Sequence, residues 1–297
     1  MEPWIVIVII LSALLVLLLL FFLRSEYERR HPVLKEYTVE SAKVPEAFSG
    51  YRIAYLSDLH GENPGKALER AEALLRNCGA DLVLLGGDML TVPRSGHGTY
   101  DAKPLEKLLS AVPEGVPVIF SDGNHEVRMR ENPDRYPGWT ERFSKLLEEY
   151  HVTRLQNRRT EISREGSRIL ISDAALPEET YLQKFRKKKL PAGYFRRVLG
   201  EKPEGFEVML LHSPQYMREA CEYGAGLVLS GHFHGGTIRL FGIGLMTPQF
   251  QLLNRFCHGL YRFPDGAGIA GAGLGTHTIN IRFMNRPEIV LVTLKKI

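Results

Sequence analysis

Ile53-Ala54-Tyr55-Leu56-Ser57-Asp58-Leu59-His60 begins as an unbroken apolar run and ends on a carboxylate and an imidazole. A short apolar run bounded by polar or turn-forming residues reads as a strand buried on both faces. Leu82 to Leu85 leads in the same way into Gly86-Gly87-Asp88, and Val116 to Phe120 into Gly123-Asn124-His125-Glu126. Val208 to Leu211 ends at His212, and Leu227 to Ser230 precedes Gly231-His232-Phe233-His234. Polar groups at strand ends converge on one crevice in open α/β sheets, and such crevices bind ligands.

Helical patterns over Lys66 to Asn77, Asp101 to Ala111, Pro137 to Tyr150 and Pro214 to Tyr223 alternate with these runs, which predicts parallel pairing and an α/β fold. Later segments, Arg159 to Ser163, Arg168 to Ser172, Thr237 to Leu240, Ala267 to Ala270, Thr278 to Phe283 and Glu288 to Leu294, read as strands with few helices between them. They predict a second sheet.

Carboxylate, imidazole and amide oxygen together suit hard or borderline divalent ions such as Mn, Fe, Zn, Co or Mg, and no thiolate stands in the five blocks. The blocks SDLH at 57 to 60, GGD at 86 to 88, GNHE at 123 to 126, His212 and GHFH at 231 to 234 resemble, in order, the pattern of the calcineurin-like metallophosphoesterase family. The stretches GGTIRL at 235 to 240, GAGLGT at 271 to 276 and IRFMNRPEIVLVTL at 281 to 294 resemble a bacterial, membrane-associated branch of it. The resemblance implies two mixed sheets packed face to face with helices outside, a four-layer α-β-β-α sandwich over about residues 51 to 297. It also implies that Asp58, His60 and His234 hold one metal ion, that Asn124, His212 and His232 hold a second, and that Asp88 bridges them. Two ions about 3.5–4 Å apart share a hydroxide that attacks phosphorus in line with the leaving oxygen. His125 is left off the metals, to stabilise the phosphate or protonate the leaving group. Glu126 either orients its neighbours or is an ordinary surface glutamate.

Five of the ten histidines lie in the blocks; His31, His97, His151, His258 and His277 do not share that context. His97 follows Asp88 in a loop, either reaching substrate or merely lying at the surface, and His277 follows a glycine-rich stretch whose role stays open.

Trp4 to Leu23 is apolar except for Ser12, and at about 1.5 Å per residue it matches a hydrocarbon core of roughly 30 Å. Glu2 before the run, no Lys or Arg there, and no small-residue cleavage site after Leu23 favour an uncleaved single-pass anchor over a signal peptide. Arg24, Arg29, Arg30 and Lys35 follow, which by the positive-inside bias places the large domain on the cytoplasmic side of the cell membrane. Residues 24 to 50 read as a juxtamembrane linker with one strand around Leu34 to Val39. Cys78, Cys221 and Cys257 show no paired spacing and fit buried, reduced thiols.

The net charge of +4 is unevenly spread: between Tyr181 and Val198, basic residues from Lys184 to Arg197 alternate with apolar ones and no acid intervenes. Within an insert at about 178 to 200, such a segment fits an anionic bilayer surface or a solvated face. The expected function is a membrane-anchored, binuclear metal-dependent phosphoesterase acting on a phosphodiester, pyrophosphate or phosphomonoester, on a lipid-linked or nucleotide-linked substrate. The resemblance includes proteins with UDP-2,3-diacylglucosamine pyrophosphatase activity, although nothing in the chain marks that sugar. A non-catalytic scaffold of the same fold is a second reading. A nuclease is a third, and the hydrophobic anchor argues against nucleic acid as a partner.

Overall fold

The computed structural model describes residues 2–60, 65–276 and 280–297. In chain order, α1 (Pro3–Arg29) and β1 (Val33–Ser41) precede β2 (Arg52–Leu56), α2 (Gly65–Asn77), β3 (Leu82–Leu85), α3 (Lys103–Ser110), β4 (Val118–Ser121), α4 (Asn124–Glu131), α5 (Trp139–Glu149) and β5 (Thr153–Leu155). There follow β6 (Arg159–Arg164), β7 (Ser167–Asp173), α6 (Glu179–Leu182), α7 (Tyr194–Leu199), β8 (Glu207–Leu210), α8 (Met217–Tyr223) and β9 (Leu227–Ser230). The last strands are β10 (Arg239–Leu240), β11 (Ile243–Gly244), β12 (Gly259–Arg262), β13 (Ala267–Ala270) and β14 (Glu288–Lys296).

The first sheet has the order β1-β14-β2-β3-β4-β5 and the second β12-β13-β9-β8-β7-β6. Each has a parallel block, β2 to β5 in one and β13-β9-β8-β7 in the other. The two-residue period of a strand builds the layers. Ile53, Tyr55, Leu82 and Leu84 point inward to meet Val208, Leu210, Leu227 and Leu229 of the other sheet. Ala54, Leu56, Val83 and Leu85 point outward onto α2, α3 and α5, and Met209 and Val228 point outward onto α8. The result is the four-layer α-β-β-α arrangement, in which each fully buried leucine contributes about 1.5–3 kcal/mol.

Several segments differ from the sequence expectation. The apolar run Trp4 to Leu23 lies inside a helix that continues to Arg29, because Arg24–Glu28, Glu26–Arg29 and Glu26–Arg30 pairs extend it beyond the run. An 18-residue window of this helix has a mean hydropathy of 3.5 and none of it is buried against the protein, so it is long and apolar enough to cross a membrane. The stretch read as a linker begins with the last turns of α1, while the strand expected around Leu34 to Val39 is present as β1 and pairs along its whole length with β14. Glu288 to Leu294, expected in the second sheet, lies in the first between β1 and β2, because its apolar residues pack on Ile53 and Tyr55. Thr237 to Leu240 shortens to β10, which forms a separate hairpin with β11. His277 and the start of Thr278 to Phe283 lie outside the described residues; of the rest of that segment only Phe283 makes a strand-like bridge, to Ile238. The basic stretch, read as apolar residues interleaved with charge, holds the end of α6 and all of α7 with irregular chain between them. Tyr181, Phe195, Leu190 and Tyr194 turn inward onto the α8 layer, and Lys187 and Lys188 pair with Glu219 and Glu179, which leaves Leu182 and Phe185 as its exposed apolar groups.

Candidate metal centre

The carboxyl ends of the parallel strands in both sheets open on the same side. Asp58 and His60 follow β2, Asp88 follows β3, and Asn124 and His125 begin α4 just after β4. Backbone bonds tie these turns together: Asp58 N–H donates to Gly87 O and His60 N–H to Asp88 O, each at 3.0 Å. His125 N–H donates to Asp88 Oδ1 at 2.8 Å. Gly123 lies so close to Asp88 that a Cβ there would collide with the carboxylate and the backbone, so the glycine is what allows the carboxylate to approach α4.

Glu126 is no surface residue. It is fully buried, and its carboxylate accepts N–H bonds from Asp88 and Met89 at 2.8 Å, Leu90 at 3.1 Å and Gly123 at 2.9 Å. Burial, with Asp88 and Asp122 adding to it, pushes this carboxyl up to about 7, against the hydrogen bonds that favour its charged form. Glu126 thereby clamps the Asp88 turn to the start of α4. Its proximity to the GNH block is the only sequence signal for this role, since its hydrogen-bond partners lie on another strand's turn.

The second sheet supplies only imidazoles, His212 after β8 and His232 and His234 after β9. His212 donates Nδ1–H to Gly86 O at 2.8 Å, which leaves Nε2 3.1 Å from Asp88 Oδ2. His232 N–H bonds to Asp58 at 2.9 Å and 3.1 Å. His234 Nδ1 lies 3.3 Å from Gly275 O and its Nε2 is 3.2 Å from Nε2 of His60. Three buried clusters result, Asp58-His60-His234, Asp88-His212-His232 and His60-Asp88-His125, with ligand-capable atoms within 4.8 Å of one another in each. Six of the seven metal-binding candidates read from the sequence fall in these clusters, with Asp88 common to two of them, and the seventh, Asn124, lines the cavity above them.

These residues fit divalent ions. Asn124 Oδ1 is buried with no hydrogen-bond partner among the described residues, and a buried amide oxygen in that state calls for a cation or a donor. Carbonyl acceptors at the Nδ1 atoms of His212 and His234 fix the ring orientations and turn Nε2 toward the centre, as the outer hydrogen-bond partners of ligating histidines do. Charge is equally polarised. Burial alone would lower the His212 imidazole, but the Asp88 carboxylate raises it to about 10. Burial raises Asp58 to about 6, whereas the surrounding histidines overcome burial at Asp88 and hold it well below the usual carboxylate range.

Backbone strain marks the same residues. Asp58, His60, Asp88, His232 and His234 all have positive φ, between 47° and 64°. Asp and His enter this region more readily than most residues, yet sparsely populated conformations cost of order 1–3 kcal/mol each and persist where the surroundings over-determine them. Here the surroundings are the inter-turn bonds just described.

His125 faces the opening. Its Nδ1 accepts the N–H of Val92 at 2.7 Å, so a neutral ring carries its proton on Nε2. That nitrogen lies 4.0 Å from Asp88 Oδ2. A cavity of about 410 Å³ opens above the centre, lined also by Arg94, Arg128, Tyr181, Lys184 and Gln249. Tyr181, from α6, sets its ring 4.9 Å from that of His232. His97 is exposed, and its N–H bonds to Ser95 Oγ; Arg94, from the same loop, reaches the cavity instead. His258 pairs with Glu288 at 2.9 Å, and neither lines the cavity. The three cysteines are buried and free.

Two facing sheets with Asp, His and Asn gathered at the carboxyl ends of their strands form a site whose residues could hold metal ions. The sequence profile of calcineurin-like phosphoesterases matches residues 51–236, and the chain belongs to that family. It is 27% identical over 268 residues to the uncharacterized metallophosphoesterase YkuE of Bacillus subtilis, covering 88% of this chain and 84% of that protein. It is also 27% identical over 271 residues to a transmembrane protein with metallophosphoesterase domain from Danio rerio, covering 89% of this chain and 58% of that longer protein. Among solved structures, a hypothetical protein from Thermus thermophilus aligns over 75% of this chain and 76% of its own, with a TM-score of 0.43 and 18% identity.

Proposed function

We propose that the protein is a membrane-anchored, two-metal phosphoesterase that hydrolyses a phosphodiester, pyrophosphate or phosphomonoester bond on a lipid-linked or nucleotide-linked substrate. The observation that carries this reading is that the buried Asp88 carboxylate shares one cluster with His60 and another with His212 and His232. In this assignment Asp58, His60 and His234 hold one divalent ion, Asn124, His212 and His232 the other, and Asp88 both. Ions bound there supply charge neutralisation on the phosphoryl oxygens and a nucleophile at neutral pH.

The chain's own groups do the rest. Glu126 holds the Asp88 turn in place through its four N–H bonds. His125 presents Nε2–H to the cavity, positioned to donate to a phosphoryl or leaving-group oxygen. Arg94 and Lys184 put positive charge at the cavity wall, where an anionic substrate is drawn in. Residues 1–23 serve as the anchor and 51–297 as the catalytic unit. Arg24, Arg29, Arg30 and Lys35, on the same side of the span as that unit, support a cytoplasmic placement. Residues 24–50 join the two parts, and Ser25 and Glu28 are buried against the catalytic unit.

Purified full-length protein in detergent, reloaded with Mn²⁺, is expected to bind two ions per chain and to hydrolyse bis-p-nitrophenyl phosphate. Asp88→Ala should lose the paired loading and at least about 10³-fold in activity, equivalent to several kcal/mol of metal assistance. Turnover retained in Asp88→Ala would end the bridging assignment. A parent protein that neither binds metal nor turns over with any divalent ion would be a binding scaffold instead.

A further inference from the structure

Neither the core nor the metal centre uses one apolar surface of the molecule. Phe241, at the tip of the β10–β11 hairpin, is 96% exposed, and Leu252 and Leu253 are 73% and 63% exposed. Single exposed apolar residues need no explanation, but contiguous ones mark an interaction surface. These are contiguous through the backbone: Leu253 N–H donates to Leu245 O, Leu245 N–H donates to Ile238 O at the foot of the hairpin, and Leu252 bridges Met246. The ring of Phe250 lies 6.1 Å from that of Phe185, which is itself 74% exposed. The same two segments provide Lys184, Pro248 and Gln249 to the wall of the metal cavity. An apolar collar therefore runs from the hairpin to the mouth of the pocket.

Its depth relative to α1 is fixed. Phe21 stacks on Phe283 with ring centroids 4.8 Å apart, and Phe283 bridges Ile238 at the foot of the hairpin. Phe21 stands two residues before Leu23, the end of the apolar run, so at about 1.5 Å per residue this contact lies about 3 Å inside that end. The joint is also stiff. Ser25 Oγ accepts from Arg282 N–H at 3.0 Å and the buried Glu28 carboxylate from Asn285 N–H at 2.6 Å. With its foot held at the level of the last apolar turn, the hairpin that carries the collar stands at the surface of a bilayer that α1 crosses.

We propose that this collar is seated in the lipid bilayer surface, so that the metal pocket opens at the headgroup layer and takes a phosphate ester carried on a membrane lipid. The inference rests on the reading of α1 as a membrane span and deepens the proposed function by naming where its substrate comes from. Continuity with α1 identifies the occupant, and the charge agrees: Lys184, Arg186 and Lys189 flank Phe185, as suits anionic headgroups.

The test places full-length protein in vesicles of phosphatidylcholine and phosphatidylglycerol whose acyl chains carry bromine near the headgroup. In Phe241→Trp, the emission added to that of Trp4 and Trp139 should lose most of its intensity in brominated relative to plain vesicles. Emission that the bromolipid does not quench overturns the proposal, and if it is also shielded from iodide the collar is covered by protein, such as a second copy. A Phe241→Ser, Leu252→Ser, Leu253→Ser variant should hydrolyse bis-p-nitrophenyl phosphate as the parent does. It should act about tenfold more slowly on a vesicle-embedded p-nitrophenyl ester of phosphatidic acid, in keeping with lost apolar insertion. Equal rates on the embedded ester overturn the proposal. Absence of turnover by the parent would refute the phosphoesterase reading alone, because the quenching measurement does not depend on catalysis.

Discussion

At the floor of the pocket, Asp58, His60, Asp88, Asn124, His125, His212, His232 and His234 sit on strand ends or the first turn of a helix and are at most 7% exposed. At its rim, Arg94 and Lys184 sit on exposed segments outside any strand. Floor residues are locked by bonds between neighbouring turns, such as those from three consecutive N–H groups to Glu126. Rim segments are held instead by side-chain amides: Gln249 Nε2 donates to Thr180 O, and Gln215 bridges Gln249 and Gln251. The contrast separates two tasks. Rigid strand ends hold the strained geometry that metal chemistry needs, and loops mounted on them are free to vary with the substrate.

The sharpest way to break this division is to remove His125, which belongs to the floor by position yet is assigned to none of the metals. His125→Ala should retain its metal content and lose about 10²–10⁴-fold in turnover, the usual scale of general acid assistance. Metal analysis beside steady-state kinetics reads both. If metal content falls together with activity, His125 is a ligand, and its place in the His60-Asp88-His125 cluster is then structural for the metals.

A smaller effect is expected at the rim. Arg94→Ala and Lys184→Ala should each raise KM for an anionic diester about tenfold while kcat stays near the parent value, since an exposed cation contributes binding on the order of 1 kcal/mol. A fall in kcat with KM unchanged would place these side chains on the reacting phosphate and erase the distinction between floor and rim.

The two regions also differ in how far the sequence reveals them. Each floor residue follows an apolar run within a few positions, so local pattern alone locates it. Arg94 and Lys184 are ninety positions apart in the chain, and only the folded chain brings them to the lining of one cavity. Glu126 is ambiguous in the sequence because its role depends on N–H groups in the Asp88 turn. The pattern of β14 points to the wrong sheet because an apolar run records burial and not its pairing partner, and here the partners are β1 and β2. The basic segment reads as amphipathic from composition, whereas Tyr181 and Phe195 are buried by contacts with His232 and the α8 layer. Residues 24–29 hide their helix because their charges interrupt the apolar run while also forming the i,i+3 and i,i+4 pairs that support it.

The smallest effect on turnover is expected at Asp173, a strand-end carboxylate outside the metal clusters. It closes β7 beside β8, but Ser121 Oγ donates to one of its oxygens at 2.6 Å and Asn157 N–H to the other at 3.1 Å. Burial raises its pKa from 3.8 to about 7, against those two hydrogen bonds. The folded chain therefore keeps a proton that the unfolded chain has already released, and the stabilisation this brings is present below pH 3.8 and lost as pH rises through about 7. Asp173→Asn cannot titrate. Its unfolding free energy should fall less steeply across that window than the parent's, by up to about 1.4 kcal/mol per pH unit, while turnover at neutral pH stays within about twofold, as for a substitution away from the reacting groups. Chemical unfolding in detergent at a series of pH values, compared between the two proteins, measures the difference. Parallel pH profiles would show that Asp173 is ionised throughout, and a large loss of turnover would extend the floor of the pocket to β7.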